Sequence, residues 1–163
     1  MSKYILDTNI LITAYRLTYP MDVIPTFWNK LLEKAKDNTF SLIDFVVDEI
    51  RVGEDTLRKW IDENIDDIEV LKSDDFNVIE SFRVLMNDVE NTEQYTQKAK
   101  EDYAASADSW ILAHAHAYDY IIVTEEAYKR EVKKRVIIPN VCRKFNINYL
   151  TTIEFFRQIG IKI

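Results

Sequence analysis

The sequence contains little glycine, proline or cysteine: two glycines, three prolines and one cysteine occur in 163 residues. Neither GxGxxG nor GxxxxGK followed by Ser or Thr can be written around Gly53 and Gly160, which excludes the common phosphate-cradling loops. So few glycines and prolines leave no flexible linker and no low-complexity segment. The lone Cys142 excludes an internal disulfide and a multi-thiolate metal site. We therefore expect a single domain over residues 1–163.

Long apolar runs are absent as well. No run approaches the roughly 20 residues that a membrane-spanning helix needs, and MSKYILDTN has too short an apolar stretch before Asp7 for a signal peptide. The content of 47% hydrophobic and 30% charged residues is that of an ordinary globular protein. We expect a cytoplasmic protein that does not contact membranes.

The charge is unevenly distributed, although the net charge of −7 by itself argues against a nucleic-acid partner. Residues 62–75 hold seven acidic side chains and one lysine, and are expected to form solvated surface. Residues 128–135 (YKREVKKR), here called the basic segment, hold five basic side chains and one glutamate. Two interpretations stay open for it, namely a solvated surface or one helical face that touches RNA phosphates. The residues of that face would be Lys129, Arg130, Lys133 and Lys134.

Short apolar runs alternate with amphipathic segments along the chain. This alternation predicts an α/β fold with a central parallel sheet and helices on both faces. Ligands bind such sheets at the carboxyl ends of the strands, which singles out Asp7 and the Glu125-Glu126 pair. Strands are predicted at KYILD, FSLI (40–43), YIIVT (120–124), VIIP (136–139) and INYLT (147–151). Helices are predicted at 24–36, 44–52, 55–65, 74–103 with a break near Asn91, 106–118, 141–145 and 152–160.

Three acidic residues lie at positions that suit a catalytic or metal-binding role, and each also has an ordinary structural interpretation. Asp7 follows a strand and could cap the next helix, although Thr8-Asn9 can supply that cap instead. Asp108 begins an apolar helix, where flanking serines are competing caps. Glu49 lies near the edge of an apolar helix face, and a solvated carboxylate is the simpler interpretation there. Residue types alone leave these alternatives open.

The sequence contexts of these acids resemble the PIN-domain ribonuclease superfamily. YILDTNIL, VVDEI, SADSWILAHAHA and IIVTEEAY match the four acid-bearing segments of that superfamily, in its order, from Tyr4 to about Tyr128. The last match places the fourth acid at Glu126, where most of the superfamily has Asp. The remainder, VIIPNVCRKFNINYLTTIEFF, resembles the closing portion of bacterial VapC-type toxin proteins. Each match is weak alone, and four in order are specific.

The resemblance implies a Mg²⁺- or Mn²⁺-dependent endoribonuclease that cuts single-stranded RNA and leaves a 5′-phosphate. Clustered carboxylates raise one another's pKa and suit a divalent cation, which prefers oxygen ligands and activates a bound water. Asn9 and Thr124 would orient the carboxylates. The catalytic, metal-binding carboxylates, whether direct or water-mediated ligands, are then Asp7, Glu49, Asp108 and Glu126.

The resemblance also implies an antitoxin protein as partner, and it leaves a homodimer open. The alternative function is a catalytically silent PIN-like scaffold that binds RNA or a partner protein. A haloacid-dehalogenase phosphatase is excluded, because Asn9 stands where its Asp-x-Asp pattern needs an acid. His114 and His116 are two positions apart on a helix, face different directions and are not expected to bind metal. Cys142 is expected to be a packed thiol.

The fourth acid could in principle be either of two adjacent glutamates. Side chains alternate in direction at the end of a strand, so Glu125 and Glu126 are not expected to reach the same metal. The resemblance selects Glu126, two residues after Thr124. Glu125 is then predicted to be a first-turn carboxylate of a helix that follows the strand.

Overall fold

The computed structural model describes residues 3–163, and within them five short strands form one parallel sheet in the order β3-β2-β1-β4-β5. This arrangement, with helices on both faces of the sheet, confirms the predicted α/β class. The strands are β1 (Tyr4–Leu6), β2 (Phe40–Ile43), β3 (Val70–Leu71), β4 (Ile121–Val123) and β5 (Tyr149–Leu150).

The central strand β1 sets the position of Asp7 at the carboxyl end of the sheet. It pairs in parallel with β2 on one side and with β4 on the other, where Leu6 is in register with Val123. All three β1 residues are buried, as expected for a strand covered on both faces. Asp7 and Thr124 follow these two strands directly, and the Asp7 N–H donates to the Val123 carbonyl at 3.0 Å. The strand register therefore brings the two residues to the same edge.

Most helices begin where the sequence supplies a side-chain cap. Asp55, Asp75, Thr96 and Thr151 each accept a hydrogen bond from a backbone N–H in the first turn of the following helix. No helix in the described range 3–163 combines the length and apolarity needed to cross a membrane. The helices are α1 (Thr8–Thr13), continued by a π-helical turn (Ala14–Thr18), α2 (Pro25–Lys36), α3 (Asp44–Val52), α4 (Thr56–Asn64), α5 (Phe76–Glu90), α6 (Gln97–Ala104), α7 (Ala107–Tyr118), α8 (Ile138–Phe145) and α9 (Thr152–Ile159).

Aromatic side chains fill much of the core between the sheet and α2, α4 and α9. Phe27 and Trp28 of α2 are buried, and Trp60 and Trp110 are half-buried against the core. Cys142 is fully buried, and this burial raises its pKa to about 12. The thiol is therefore a packed, unreactive group, as predicted.

Two strand assignments differ from the prediction. VIIP (136–139) is not a strand, because the chain is irregular through Ile137 and α8 begins at Ile138. Pro139 lies in the first turn of α8, where its missing N–H leaves no hydrogen bond unmade. The two-residue strand β3 was not predicted, since its half-buried residues stand in the acidic 62–75 stretch and give no apolar run.

Candidate active site

Asp7 is the most deeply buried of the four candidate acids, with 1% of its surface exposed. It occupies the N-cap position of α1 in an extended conformation and accepts a 3.4 Å hydrogen bond from the Asn9 N–H. The expectation that Thr8 and Asn9 would cap this helix is wrong, because both are already helical. The other Asp7 oxygen accepts from the Thr124 hydroxyl at 3.0 Å. Asp7 thus combines a capping role with a buried position at the strand edge.

Glu49 joins the segments that carry the two aspartates. One of its oxygens accepts from the Thr8 hydroxyl at 2.8 Å, and the other accepts from the Ala107 N–H at 3.2 Å. The Ala107 N–H belongs to the first turn of α7, where backbone donors lack helical partners and a carboxylate is favoured by the helix dipole. Although the residue is largely exposed, the interpretation of Glu49 as a purely solvated carboxylate is therefore wrong.

Glu126 is held from three sides. Its backbone N–H donates to the Thr124 hydroxyl oxygen at 3.2 Å. Its side chain, 14% exposed, accepts from the Arg135 guanidinium at 3.0 Å and from the Ile138 N–H at 2.8 Å. The carboxylate is consequently fixed beside the start of α8.

Glu125 leaves in another direction, in agreement with the predicted divergence of the two glutamates. Its carboxylate accepts from the Thr152 N–H at 2.8 Å, at the first turn of α9. The predicted helix directly after β4 is absent, since residues 124–129 are irregular. Glu125 therefore stabilises the beginning of α9 rather than the beginning of a helix of its own.

These contacts form one connected chain across the strand edge. The Thr124 hydroxyl contacts both Asp7 and the Glu126 backbone, while Glu49 contacts the residue after Asp7 and the residue before Asp108. The structure thus brings together the four predicted acid segments. Thr8 was missed by the sequence analysis, although its place inside Asp-Thr-Asn was a usable signal. Asn9 contacts Asp7 through its backbone N–H, and the residue is exposed.

The two aspartates have raised pKa values. Burial, with the negative charges of Glu126 and Glu49, raises the pKa of Asp7 from 3.8 to about 6, against the lowering effect of the Thr124 hydrogen bond. Burial and the charges of Asp7, Glu126 and Glu49 raise the pKa of Asp108 from 3.8 to about 8, which Arg135 opposes only in part. The negative charges of Glu49 and Glu126 therefore act on both aspartates, and the positive charge of Arg135 does not cancel this effect on Asp108.

The four carboxylates offer what a hard divalent cation requires, namely oxygen ligands that carry uncompensated negative charge. In the arrangement of residues 3–163, however, no three His, Cys, Asp or Glu side chains are grouped tightly enough to hold a metal ion. Glu49 and Glu126 have both carboxylate oxygens hydrogen-bonded to protein donors. Both oxygens of Asp7 also accept hydrogen bonds, from the Asn9 N–H and the Thr124 hydroxyl.

The basic segment lies next to the acids but does not form the predicted helical face. Residues 131–137 contain no helix, and the preceding residues 124–129 are irregular as well. The four side chains in question are all exposed, so they can still reach a ligand outside the protein. They are Lys129, Arg130, Lys133 and Lys134.

The histidines take part in separate contacts. The buried His114 Nε2 lies 2.9 Å from the Ser73 hydroxyl, which donates to Asp44, and burial lowers the pKa of His114. His116 Nδ1 lies 2.7 Å from the Ser81 hydroxyl. Each histidine thus has one ring nitrogen in contact with a serine hydroxyl.

A family model described as a domain of unknown function (DUF4411) matches residues 4–163. The chain belongs to the DUF4411 family. No curated protein matches the DUF4411 chain in sequence.

Chains from two VapBC complexes are among the solved structures that are similar to the DUF4411 chain in fold. One is a chain in the crystal structure of VapBC2 from Rickettsia felis bound to a DNA fragment from their promoter, with a TM-score of 0.59 and 18% identity over 91% of this chain and 98% of that one. The other is from DNA-bound VapBC of Salmonella typhimurium, with a TM-score of 0.55 and 15% identity over 93% and 98% of the two chains. At such identities the similarity establishes the fold, and the predicted PIN-like resemblance is confirmed at that level.

Proposed function

We propose that this protein is a Mg²⁺- or Mn²⁺-dependent endoribonuclease that cleaves single-stranded RNA and serves as the toxin of a toxin–antitoxin pair. The observation that carries the proposal is the hydrogen-bonded set of four acid-bearing segments at the carboxyl ends of the strands, in which the pKa values of Asp7 and Asp108 are raised to about 6 and about 8. Such a cluster is unfavourable unless a cation compensates it. The similarity in fold to chains of VapBC complexes supports the toxin role and an antitoxin partner.

Each residue has a defined task in this proposal. Asp7 and Asp108 would hold the cation directly, and Glu49 and Glu126 would hold water bound to it. A bound Mg²⁺ or Mn²⁺ supplies a more acidic water and offsets negative charge on the phosphate. Thr124 keeps the Asp7 carboxylate in one orientation through its 3.0 Å hydrogen bond. Glu49 fixes the position of α7, and with it Asp108, through the Ala107 N–H.

The exposed side chains of the basic segment supply the phosphate contacts that the acidic protein otherwise lacks. The end of the segment lies beside the acids, because Arg135 contacts Glu126 at 3.0 Å and Lys134 lines the same cavity as Asp108. An RNA strand held by this segment would pass close to the carboxylates. Lysine and arginine contacts of this kind give affinity that depends on salt and little on sequence.

Cleavage of an unstructured RNA oligonucleotide by the purified protein tests the enzymatic proposal. We expect products with a 5′-phosphate in Mg²⁺ or Mn²⁺ and none in EDTA. Asp7→Asn should abolish cleavage, whereas Asp48→Asn, which removes the same charge from an exposed position beside Glu49, should retain it. Equal cleavage in EDTA, or by the Asp7→Asn protein, would refute the metal-dependent mechanism.

A catalytically silent scaffold is the second candidate, favoured by one observation. Both glutamates already bind protein donors, so the described residues present no ready-made cage for an ion. RNA binding without cleavage in Mn²⁺ would select this alternative. Expression in bacteria separates the biological roles, since a toxin arrests growth and its Asp7→Asn variant does not.

A further inference from the structure

An exposed tyrosine lies beside the acids, at the beginning of the basic segment. Tyr128 comes two residues after Glu126 and directly before Lys129 and Arg130. The tyrosine is 39% exposed. Single large apolar side chains on a protein surface are common, so exposure alone does not identify a binding site. The role of Tyr128 therefore has to be judged from its contacts.

The loop that carries Tyr128 is fixed to α8 without help from the tyrosine ring. The Glu126 carboxylate accepts from the Ile138 N–H at 2.8 Å, at the start of α8. The Asn140 side chain accepts from the Lys129 N–H at 3.1 Å and donates to the Lys129 carbonyl at 2.8 Å. These bonds hold the chain before and after Tyr128, although the loop has no regular secondary structure. The ring thus has a defined position that does not depend on its own packing.

One face of the Tyr128 ring is covered by a cation. The guanidinium carbon of Arg143 lies 3.9 Å from the ring centroid, and the Arg143 Nε donates to the Tyr149 hydroxyl at 3.2 Å. A guanidinium in this position is attracted by the negative charge of the ring face. The surface that Tyr128 exposes therefore lies away from Arg143. Tyr128 with the Arg143 guanidinium beneath it is here called the Tyr128 platform.

The Tyr128 platform lies close to the proposed catalytic carboxylates. Glu126 contacts Ile138, the first residue of α8, and Arg143 follows five residues later in the same helix. Five residues of an α-helix span about 7.5 Å along its axis. A base that lies on Tyr128 thus belongs to the stretch of RNA next to the phosphate at the carboxylates.

Cations without acidic partners surround the Tyr128 platform, in a protein whose net charge is −7. Lys129, Arg130 and Arg143 are exposed. None of the ion pairs within residues 3–163 includes any of these three residues. Such cations attract the phosphates of a nucleic-acid strand, and aromatic rings bind its unpaired bases by stacking. An exposed ring among unpaired cations therefore suits a single-stranded nucleic acid better than an isolated anion.

We propose that the Tyr128 platform stacks one unpaired base of the RNA substrate, while Lys129 and Arg130 contact the neighbouring phosphates. The inference rests on the proposed function and deepens it, since it names the element that binds a base of that substrate. Stacking accepts every base, because each has a flat face. The Tyr128 platform therefore adds affinity and positions the strand at the carboxylates, and it does not read the base sequence.

Binding of a short unstructured RNA in EDTA, measured by fluorescence anisotropy, tests the Tyr128 platform without cleavage. Tyr128→Leu keeps an apolar side chain and loses the flat ring, so binding should weaken about 5-fold to 150-fold, the effect of one stacked base. Tyr128→Phe keeps the ring and should bind as the wild type does. Tyr118→Leu is the matched control and should not change binding. It removes a tyrosine that is 45% exposed, at the other end of α7 from Asp108.

The dependence of binding on salt separates stacking from charge. Tyr128→Leu should leave the slope of log Kd against log salt concentration unchanged, because a stacked base releases no counterions. Alanine at Lys129 or Arg130 should reduce this slope by about 0.7, the value for one lost phosphate contact on a single strand. A slope that falls equally in Tyr128→Leu would contradict stacking.

Photocrosslinking tests the wild-type protein and does not depend on the folding of a variant. Irradiated 5-bromouridine attaches to aromatic side chains that it contacts, so an RNA carrying it should become attached to Tyr128, as located by mass spectrometry. No attachment at Tyr128, wild-type binding by Tyr128→Leu, or equal loss of binding in Tyr128→Phe and Tyr128→Leu would each overturn the proposal. RNA binding that depends on Tyr128, in a protein that does not cleave RNA, would leave the Tyr128 platform intact and refute the nuclease assignment alone.

Discussion

Replacing Asp7 by Asn in the metal-free protein should stabilise the fold at neutral pH. Asparagine is as good an N-cap as aspartate, so its carbonyl oxygen can keep the hydrogen bond from the Asn9 N–H. The side chain retains its size at a position that is 1% exposed. What the substitution removes is a buried negative charge that the carboxylates of Glu126 and Glu49 oppose.

The pKa of Asp7 sets the size and the pH range of this effect. The folded protein holds the Asp7 proton up to about pH 6, whereas the ordinary pKa is 3.8. Between these values the folded state binds more protons than the unfolded chain, so stability falls as the pH rises. Two pKa units correspond to about 3 kcal/mol, which is fully lost above about pH 6. The asparagine variant has no such loss, and its advantage should grow from near zero at pH 4 to about 3 kcal/mol at pH 7.

Urea unfolding in EDTA at several pH values between 4 and 8 measures this difference. Asp48→Asn is the control for loss of a negative charge at an exposed position. Added Mn²⁺ should then stabilise the wild type, because it binds only the folded state, and should stabilise Asp7→Asn much less. A difference that does not vary with pH, or a destabilised Asp7→Asn protein at pH 7, would refute the argument and leave Asp7 as a cap only.

Three further predictions concern the neighbours of Asp7. Glu126→Gln should lower the rate of RNA cleavage by about 10-fold to 100-fold, the range for groups that act through other metal ligands. Glu125→Gln should leave the cleavage rate nearly unchanged, because the partner of Glu125 is the backbone of α9. A cleavage assay in which Glu125→Gln is the more damaging variant would contradict this assignment. Thr8→Val should lower the cleavage rate about 10-fold, because it removes the hydrogen bond that the Thr8 hydroxyl donates to Glu49. Thr8→Ser keeps a hydroxyl and should cleave at the wild-type rate. Equal rates for the two variants would disprove the role of the hydroxyl. Alanine at all four lysine and arginine positions from 129 to 134 should weaken RNA binding and flatten its dependence on salt, and an unchanged salt slope would identify them as plain surface.

The sequence predicts secondary structure correctly where the local sequence signals agree with the burial of the residues. β1 and β4 are apolar runs buried on both faces, so their composition predicts them, and α5 and α9 begin at caps that are visible in the sequence. The ambiguous case is Pro139, which can stop a strand or start a helix. Tertiary packing decided in favour of α8, and no local feature around Val136 distinguishes the two outcomes.

The candidate site was predictable in its members but not in its connections. The resemblance supplied the four acids, and the parallel register explains why Asp7 meets Thr124. The bonds from Glu49 to Thr8 and to Ala107 span 41 and 58 residues of the chain, a separation across which no local pattern carries information.

The pairing of β1 with β4 also has a consequence for the order of events during synthesis. Asp7 acquires its Thr124 partner only when residues more than a hundred positions later have left the ribosome, and Tyr4 packs against Phe155 of the last helix at 5.0 Å between ring centroids. Contacts between such distant residues form late because the intervening chain must first close. A nascent chain that has emerged only as far as α6 therefore has neither the pairing of β1 with β4 nor an assembled set of carboxylates. The proposed site can therefore form only after β4 has left the ribosome.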